Sequence, residues 1–157
     1  MDQDKTLREH LRKLLDWEDA HVNFDTAVEG IPQSVRGVIP ERLSHSPWQL
    51  IEHLRLTQVD ILDFCRDSAY VQPPMEHYWP SSAMPPNDQA WEESIEAFRR
   101  DRETLKELVV DNSVNLFARI PHGSGQTYLR ELLLVADHNA YHVAQLVTTR
   151  RALGVWS

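Results

Sequence analysis

Residues 127–151, with the sequence TYLRELLLVADHNAYHVAQLVTTRR, form the stretch that decides the fold of this chain. Apolar side chains recur in it at the spacing of one helix face, which predicts a long helix that packs against other helices. Thr127 is placed to cap the start of this helix, and Gly154 is placed to end it. The predicted buried face is formed by Leu129, Leu133, Ala136, Ala140, Val143 and Val147.

The same stretch contains two histidines, His138 and His142, four residues apart. On a helix this spacing places both rings on one face, one turn apart, where two ring nitrogens can bind one metal ion. A tight metal site needs a third protein ligand, and the best candidate is His53 in the apolar helical segment PWQLIEHLRLTQVDILDFC. A pair at this spacing also occurs on protein surfaces and in hydrogen-bonded cores without metal, and the pattern alone leaves these alternatives open.

Three further helices are predicted upstream of this stretch. Leu7 and Leu11 begin an amphipathic helix over residues 4–29, which Trp17 and Val22 continue less regularly. Glycine and proline residues at positions 30–32 then stop it.

The second and third helices carry clearer start signals. Ser46 suits an N-cap, Pro47 suits the first helical position, and Gln49 stands three residues after the serine, which together predict a capping box. A third helix is predicted from Asn87, its cap, to residue 110. Four helices without a credible strand predict an all-α fold.

The predicted architecture is a four-helix bundle in one domain spanning residues 1–157. Longer connections follow helix one, over residues 30–46, and helix two, over residues 70–86. Connections of this length allow a topology other than a simple up-down-up-down bundle.

Composition and charge exclude several classes of protein. The 157 residues carry a formal charge of −8, which argues against nucleic acid or an anionic membrane as a partner. No apolar run is long enough to span a bilayer, and the charged N-terminus lacks the apolar core of a signal peptide. The single cysteine, Cys65, is predicted to be a buried, inert thiol. These features predict a cytoplasmic protein.

The connection over residues 70–86 holds five of the nine prolines together with several aromatic residues, including Tyr78 and Trp79. Proline at this density excludes a helix. The aromatic residues suggest a lid or wall, although a loop pinned to the outside of the core is the favoured interpretation.

Several other side chains could assist a metal site or bind a substrate. Gln145 lies three residues after His142 and shares its face, whereas Asp137 lies about 100° around the helix from its neighbour His138. His21 could reach the interior of the bundle. The candidates for binding a substrate carboxylate are Arg36, Arg42, Arg55 and Arg150, and the sequence favours none of them.

The chain resembles the DinB/YfiT-like superfamily of metal-dependent proteins. Two segments carry the resemblance, SPWQLIEHLRLTQVDIL at 46–62 and GQTYLRELLLVADHNAYHVAQLVTTRR at 125–151. The motifs YWP at 78–80 and IPHGSGQT at 120–127 support it. The most specific feature is one histidine in helix two combined with His-x3-His-x2-Gln in helix four.

The resemblance implies a bundle of four helices that forms homodimers. It also implies a divalent metal ion held by three histidines, which correspond here to His53, His138 and His142. Characterised relatives include S-transferases that use low-molecular-weight thiols and a thiol-dependent isomerase, while many relatives have no known activity. Three imidazoles suit zinc and nickel best, and also cobalt or ferrous iron.

Two functions follow as hypotheses. The first is a metal-dependent enzyme that acts on a small molecule, either as a hydrolase or as an S-transferase that uses a low-molecular-weight thiol as a second cofactor. The second is a non-catalytic bundle in which metal or ligand binding contributes stability. A third interpretation is a dimeric module with a hydrogen-bonded histidine cluster and no metal. Because histidine binds metal only when neutral, the first two predict that metal affinity falls below about pH 6.

Overall fold

The computed structural model describes residues 2–16 and 18–156. Within these residues the chain is all-helical, and its only bridge is an isolated antiparallel pair between Arg119 and Thr127. The helices are α1 (Gln3–Leu14), α2 (Phe24–Val28), α3 (Pro47–Arg66), α4 (Asp88–Val110) and α5 (Tyr128–Ala152). The four long helices α1, α3, α4 and α5 form the predicted bundle, and two short 3₁₀ turns, Gln33–Val35 and Met75–Tyr78, lie in the connections.

The prediction of one helix over residues 4–29 is wrong, because α1 ends at Leu14 and the short α2 begins at Phe24. Asn23 caps α2 by accepting a hydrogen bond from the amide of Thr26. The intervening residue Asp16 forms ion pairs with basic side chains of α4. These tertiary contacts, together with the weak apolar periodicity, outweigh helix propagation. Trp17, which was expected to continue the helix, lies outside the described residues.

The capping signals of the other helices are confirmed. The Ser46 hydroxyl accepts from the amide of Gln49, and the Gln49 side chain accepts from the amide of Ser46, so both halves of the capping box are present. Asn87 and Thr127 cap α4 and α5 in the same manner. One predicted core residue of α5 is wrong: Leu133 is 47% exposed. The buried face of α5 is rotated toward Leu132, Val135, Ala136, Val143, Leu146 and Val147.

The helices α3 and α4 run parallel. Glu52 of α3 contacts Ser94 of α4, and six residues later Gln58 contacts Phe98, so the contacting pairs advance together along both helices. Two consecutive parallel helices require a connection that returns along the length of the bundle. The long connection after α3, predicted from its prolines, meets this requirement.

The helices α3 and α5 run antiparallel. His53 lies beside His142, and Gln58 lies beside Asn139, so the pairs advance in opposite directions. The adjacent core includes Trp48, Leu50, Ile51, Leu54, Trp91, Phe98, Val143 and Leu146. Packing of these apolar faces fixes the register that brings the three histidines together. None of the helices in the described parts of the chain combines the length and apolar character needed to cross a bilayer.

Candidate metal centre

The three histidines predicted from the sequence converge at the α3–α5 interface. The Nε2 atom of His53 lies 3.1 Å from the Nε2 atom of His142 and 3.1 Å from that of His138. His53 and His142 are buried, and His138 is half-buried. Within the part of the chain that the structure describes, these three side chains form the one group of potential ligands close enough to hold a single ion. Two nitrogens each about 2.1 Å from one ion lie roughly 3.0–3.4 Å apart, so the spacing fits a metal centre.

The opposite ring nitrogen of each histidine has a protein partner. The Nδ1 atom of His53 lies 2.6 Å from the carbonyl oxygen of Tyr78. The Nδ1 atom of His142 lies 2.8 Å from Oε1 of Gln145, and that of His138 lies 3.3 Å from the Thr57 hydroxyl. Partners of this kind hold ligand rings in one orientation and select the tautomer.

The tautomers of His53 and His138 follow from these contacts. A carbonyl oxygen can only accept, so Nδ1 of His53 carries the proton that is donated to Tyr78. The Thr57 hydroxyl donates to the carbonyl oxygen of His53, at 2.7 Å, and therefore accepts from Nδ1 of His138. Both Nε2 atoms consequently present lone pairs to each other at 3.1 Å. Two lone pairs cannot form a hydrogen bond, and a cation between them would satisfy both.

Burial keeps these rings neutral. Desolvation lowers the pKa of His53 to about 4, although its hydrogen bond to Tyr78 works in the opposite direction. Desolvation, followed by repulsion from the other two rings, lowers the pKa of His138 to about 4. Desolvation also lowers the pKa of His142. Because the rings are neutral at pH 7, a proton shared between two Nε2 atoms explains their close approach less well than a metal ion does.

An aromatic wall covers the outer side of the centre. The Trp79 ring stacks on His53, with centroids 3.7 Å apart, and His45 also stacks on Trp79, at 4.1 Å. Tyr141 meets His142 edge-on at 4.9 Å. The connection over residues 70–86 therefore forms a wall against the histidines as well as packing on the core. The favoured interpretation of a loop pinned to the outside of the core agrees with this packing, since Tyr78 is buried and Trp79 packs against the core.

A cavity of about 350 Å³ opens beside the centre. Tyr141 and Gln145, which both contact His142, form part of its wall, while the three clustered histidines do not line it. Two larger clefts, of about 510 and 540 Å³, lie elsewhere, around Asp25 and Trp156. Of these three cavities, the one of about 350 Å³ is lined by residues that contact His142 of the candidate centre.

The structure places the other residues considered from the sequence in different environments. Gln145 contacts His142 as its position on the helix indicated. His21 is exposed and contacts the carbonyl oxygen of Val22, so it does not line the centre. Asp137 is exposed on the outside of α5. Cys65 is buried as predicted, and burial raises its pKa to about 12, which disfavours the reactive thiolate.

Three residues at the centre were missed from the sequence. Thr57 stands four residues after His53, so helical spacing could have identified it. His45 contributes through an aromatic stack that joins two connections, and Tyr78 contributes through its backbone carbonyl. Neither contact has a signature in the sequence.

Comparison with known proteins supports the family indicated by the residues. A family model described as the DinB superfamily matches residues 16–146, a segment that includes all three clustered histidines. No match is found among curated proteins or among solved structures. Since the matched segment covers well over half of the chain, this protein belongs to the DinB superfamily.

Proposed function

We propose that His53, His138 and His142 bind one divalent transition metal ion, zinc or nickel, and that the protein is a metal-dependent enzyme acting on a small molecule. The main support is the convergence of three Nε2 atoms while each Nδ1 atom has a partner on the opposite side of its ring. The unfavourable approach of two lone pairs at 3.1 Å favours a bound cation over a metal-free histidine cluster.

The number of ligands favours catalysis over a purely structural role. Structural zinc sites are closed by four protein ligands, whereas catalytic sites have three and an open position. The described residues offer a group of three at this centre. An ion held there would supply a lowered pKa for a bound water or thiol, which suits hydrolysis or transfer of a thiol to an electrophile.

The residues of the chain itself would orient the centre and limit its contact with water. Tyr78, Thr57 and Gln145 hold the three rings, and Trp79 covers His53. Cys65 cannot supply the thiolate, because it is buried and burial raises its pKa to about 12. A thiol-transfer reaction would therefore use a low-molecular-weight thiol from solution as co-substrate.

A non-catalytic metal-binding bundle is the alternative. The three histidines lie on α3 and α5, and the Tyr78 carbonyl ties the long connection to them, so a bound ion would also fasten these elements together. Under this alternative the ion contributes stability, and removing it unfolds the protein. Under the enzyme proposal an exchangeable ligand position remains.

Association into a homodimer belongs to the same proposal. The outer face of α5 exposes Leu133 by 47% and Tyr141 by 62%, which would favour contact with a second copy. Light scattering of the purified protein measures this directly, and a monomer at all accessible concentrations would contradict it.

Metal analysis of protein purified without an affinity tag or chelator tests the proposal. We expect about one equivalent of transition metal in the wild type and in His10→Ala, which removes an exposed histidine of α1, and none in His138→Ala. Absence of metal from the wild type, with no uptake of added zinc or nickel, would overturn the metal centre.

Cobalt substitution separates the enzyme from the structural alternative. If a position is open, adding a small thiol to the cobalt-loaded protein changes its visible absorption spectrum, because the thiol enters the coordination shell. An unchanged spectrum, combined with unfolding on metal removal, would support the structural bundle. Activity would then be tested by presenting electrophiles and a low-molecular-weight thiol to the metal-loaded protein.

A further inference from the structure

The cavity beside the candidate metal centre has a mixed lining. Its wall includes Leu43, Leu50 and Ala144, which are apolar, together with hydroxyl and amide groups from α5. Among the residues that the structure describes, no acidic side chain lines it. Its volume, about 350 Å³, lies at the lower end of the range for small-molecule sites. The cavity therefore suits a small ligand with an apolar body.

Arg42 is the one permanently charged side chain among the described residues of this lining. It is exposed, and within the described residues it has no hydrogen-bond or ion-pair partner. The other arginines considered from the sequence are occupied. Arg36 pairs with acidic residues at the start of α4, Arg55 pairs with its neighbour in α3, and Arg150 donates to backbone carbonyls. Of these four arginines, Arg42 is therefore the one that can bind a ligand without losing an existing partner.

The backbone at Arg42 is in the left-handed region, with φ at 68°. Within the described residues it is the one non-glycine residue with positive φ, whereas Gly30, Gly125 and Gly154 adopt such values without a Cβ penalty. The conformation costs free energy that glycine would avoid. Strained backbone of this kind clusters at binding and active sites, so the conformation is consistent with a binding role for Arg42.

We propose that Arg42 binds the carboxylate of a small organic acid whose apolar body occupies this cavity. A guanidinium group pairs with a carboxylate through two parallel hydrogen bonds. One arginine without a second permanent cation matches a single negative charge better than the double charge of a phosphate monoester. The assignment of this acid as substrate or co-substrate rests on the proposed metal-dependent function.

The position of the cavity connects this ligand to the metal centre. Gln145 lines the cavity and also accepts a hydrogen bond from Nδ1 of His142 at 2.8 Å. Tyr141 lines it too and contacts the same imidazole. An acid anchored at Arg42 would lie against the residues that position one of the three metal ligands.

An NMR titration tests the proposal with hexanoate as the probe. We expect saturable shifts of backbone amides in residues 42–45 and 141–149, and an affinity at least tenfold weaker in Arg42→Ala. The matched control, Arg12→Ala, removes an exposed arginine of α1 and should leave the affinity unchanged. Hexanol, which lacks the charge, should bind at least tenfold more weakly than hexanoate. Equal affinity of wild type and Arg42→Ala, or tighter binding of inorganic phosphate than of hexanoate, would overturn the proposal.

The variant Arg42→Gly separates binding from folding. It relieves the strained backbone, so we expect its Tm to rise by about 2–4 °C while hexanoate binding is lost. A variant that binds hexanoate like the wild type would overturn the proposal.

Titrations with chelator and with added zinc distinguish this proposal from the metal centre. Binding that depends on Arg42 in both conditions, without zinc uptake, would support the acid site and contradict the metal-dependent function. Zinc uptake without hexanoate binding would support the metal centre and contradict the acid site.

Discussion

The Nδ1 atom of His142 lies 2.8 Å from Oε1 of Gln145, three residues further along α5. Donation of the ring N–H to this oxygen leaves a lone pair on Nε2, which lies 3.1 Å from Nε2 of His53. One helical turn therefore contains both a candidate metal ligand and the group that orients it.

Replacing Gln145 with leucine should weaken zinc binding by about 10–100-fold, because the imidazole of His142 loses the acceptor that fixes its orientation. Competition with a chromophoric chelator measures this affinity. Gln145→Glu keeps an acceptor at the same position and should bind zinc at least as tightly as the wild type. Equal losses in the two variants would show that the hydrogen bond does not orient the ligand.

The pH dependence of metal binding should differ from that of ordinary histidines. Rings with a pKa near 6.5 would lose metal below about pH 6. Burial lowers the pKa of His53 and of His138 to about 4, so protons compete for these nitrogens only in more acidic solution. Zinc affinity should therefore fall at a lower pH than the value of about 6 expected from ordinary histidines, because burial lowers the pKa of all three rings. A tenfold loss of affinity between pH 6.5 and pH 5.5 would contradict this explanation.

The same pKa values predict how stability depends on pH when the metal is removed. Below about pH 6.5 the unfolded chain binds protons on histidines that remain neutral in the folded protein. The free energy of unfolding should therefore be highest above pH 6.5 and fall as the pH approaches 4. Each such group contributes a slope of about 1.4 kcal/mol per pH unit.

Urea unfolding in the presence of chelator measures this slope. His138→Asn removes one of the groups, so its stability should fall less steeply than that of the wild type between pH 6.5 and pH 4.5, by about 1.4 kcal/mol per pH unit. Carboxylates titrate equally in both proteins and cancel from the comparison. Parallel pH profiles would show that His138 is not held neutral by the fold.

Local rules predicted the long helices well. Ser46 and Gln49 form a capping box in the structure because the residues involved are three positions apart and need no distant partner. The break after Leu14 was not predictable in this way. It depends on ion pairs between Asp16 and α4, some 86 to 90 residues away along the chain.

The candidate site likewise combines features that local spacing predicted with contacts that it could not predict. Helical spacing placed His138 and His142 on one face, and the apolar surroundings of His53 made it the third candidate. The contact between His53 and the Tyr78 carbonyl could not be predicted, because every residue carries that group and only the path of the connection selects one. The left-handed backbone of Arg42 likewise has no signature in its residue type.

Gln58 links three helices through a buried pair of hydrogen bonds. Its side chain is fully buried on α3, where Nε2 donates to the carbonyl oxygen of Phe98 on α4 at 2.7 Å. Its Oε1 accepts from Nδ2 of Asn139, the neighbour of His138 on α5, at 3.0 Å. This residue therefore helps to set the register that brings α5 to the candidate centre.

Gln58→Leu preserves the approximate volume but removes both hydrogen bonds. We expect it to lower the free energy of unfolding by about 2–4 kcal/mol, because the half-buried Asn139 amide and the carbonyl oxygen of Phe98 both lose a hydrogen-bond partner. Urea unfolding of the wild type and the variant measures this loss. Gln89→Leu is the matched control and should change stability by less than about 0.5 kcal/mol, since Gln89 is exposed.

Adding Asn139→Leu to Gln58→Leu tests the physical reason. If the cost of the single substitution comes from the unpaired amide of Asn139, replacing that amide as well should recover at least about 1 kcal/mol. If it comes instead from altered packing between the helices, the second substitution should add to the loss. The two causes therefore predict opposite changes in the free energy of unfolding when Asn139→Leu is added. Asn139 contacts Gln58 directly, so the sign of the measured change decides between them.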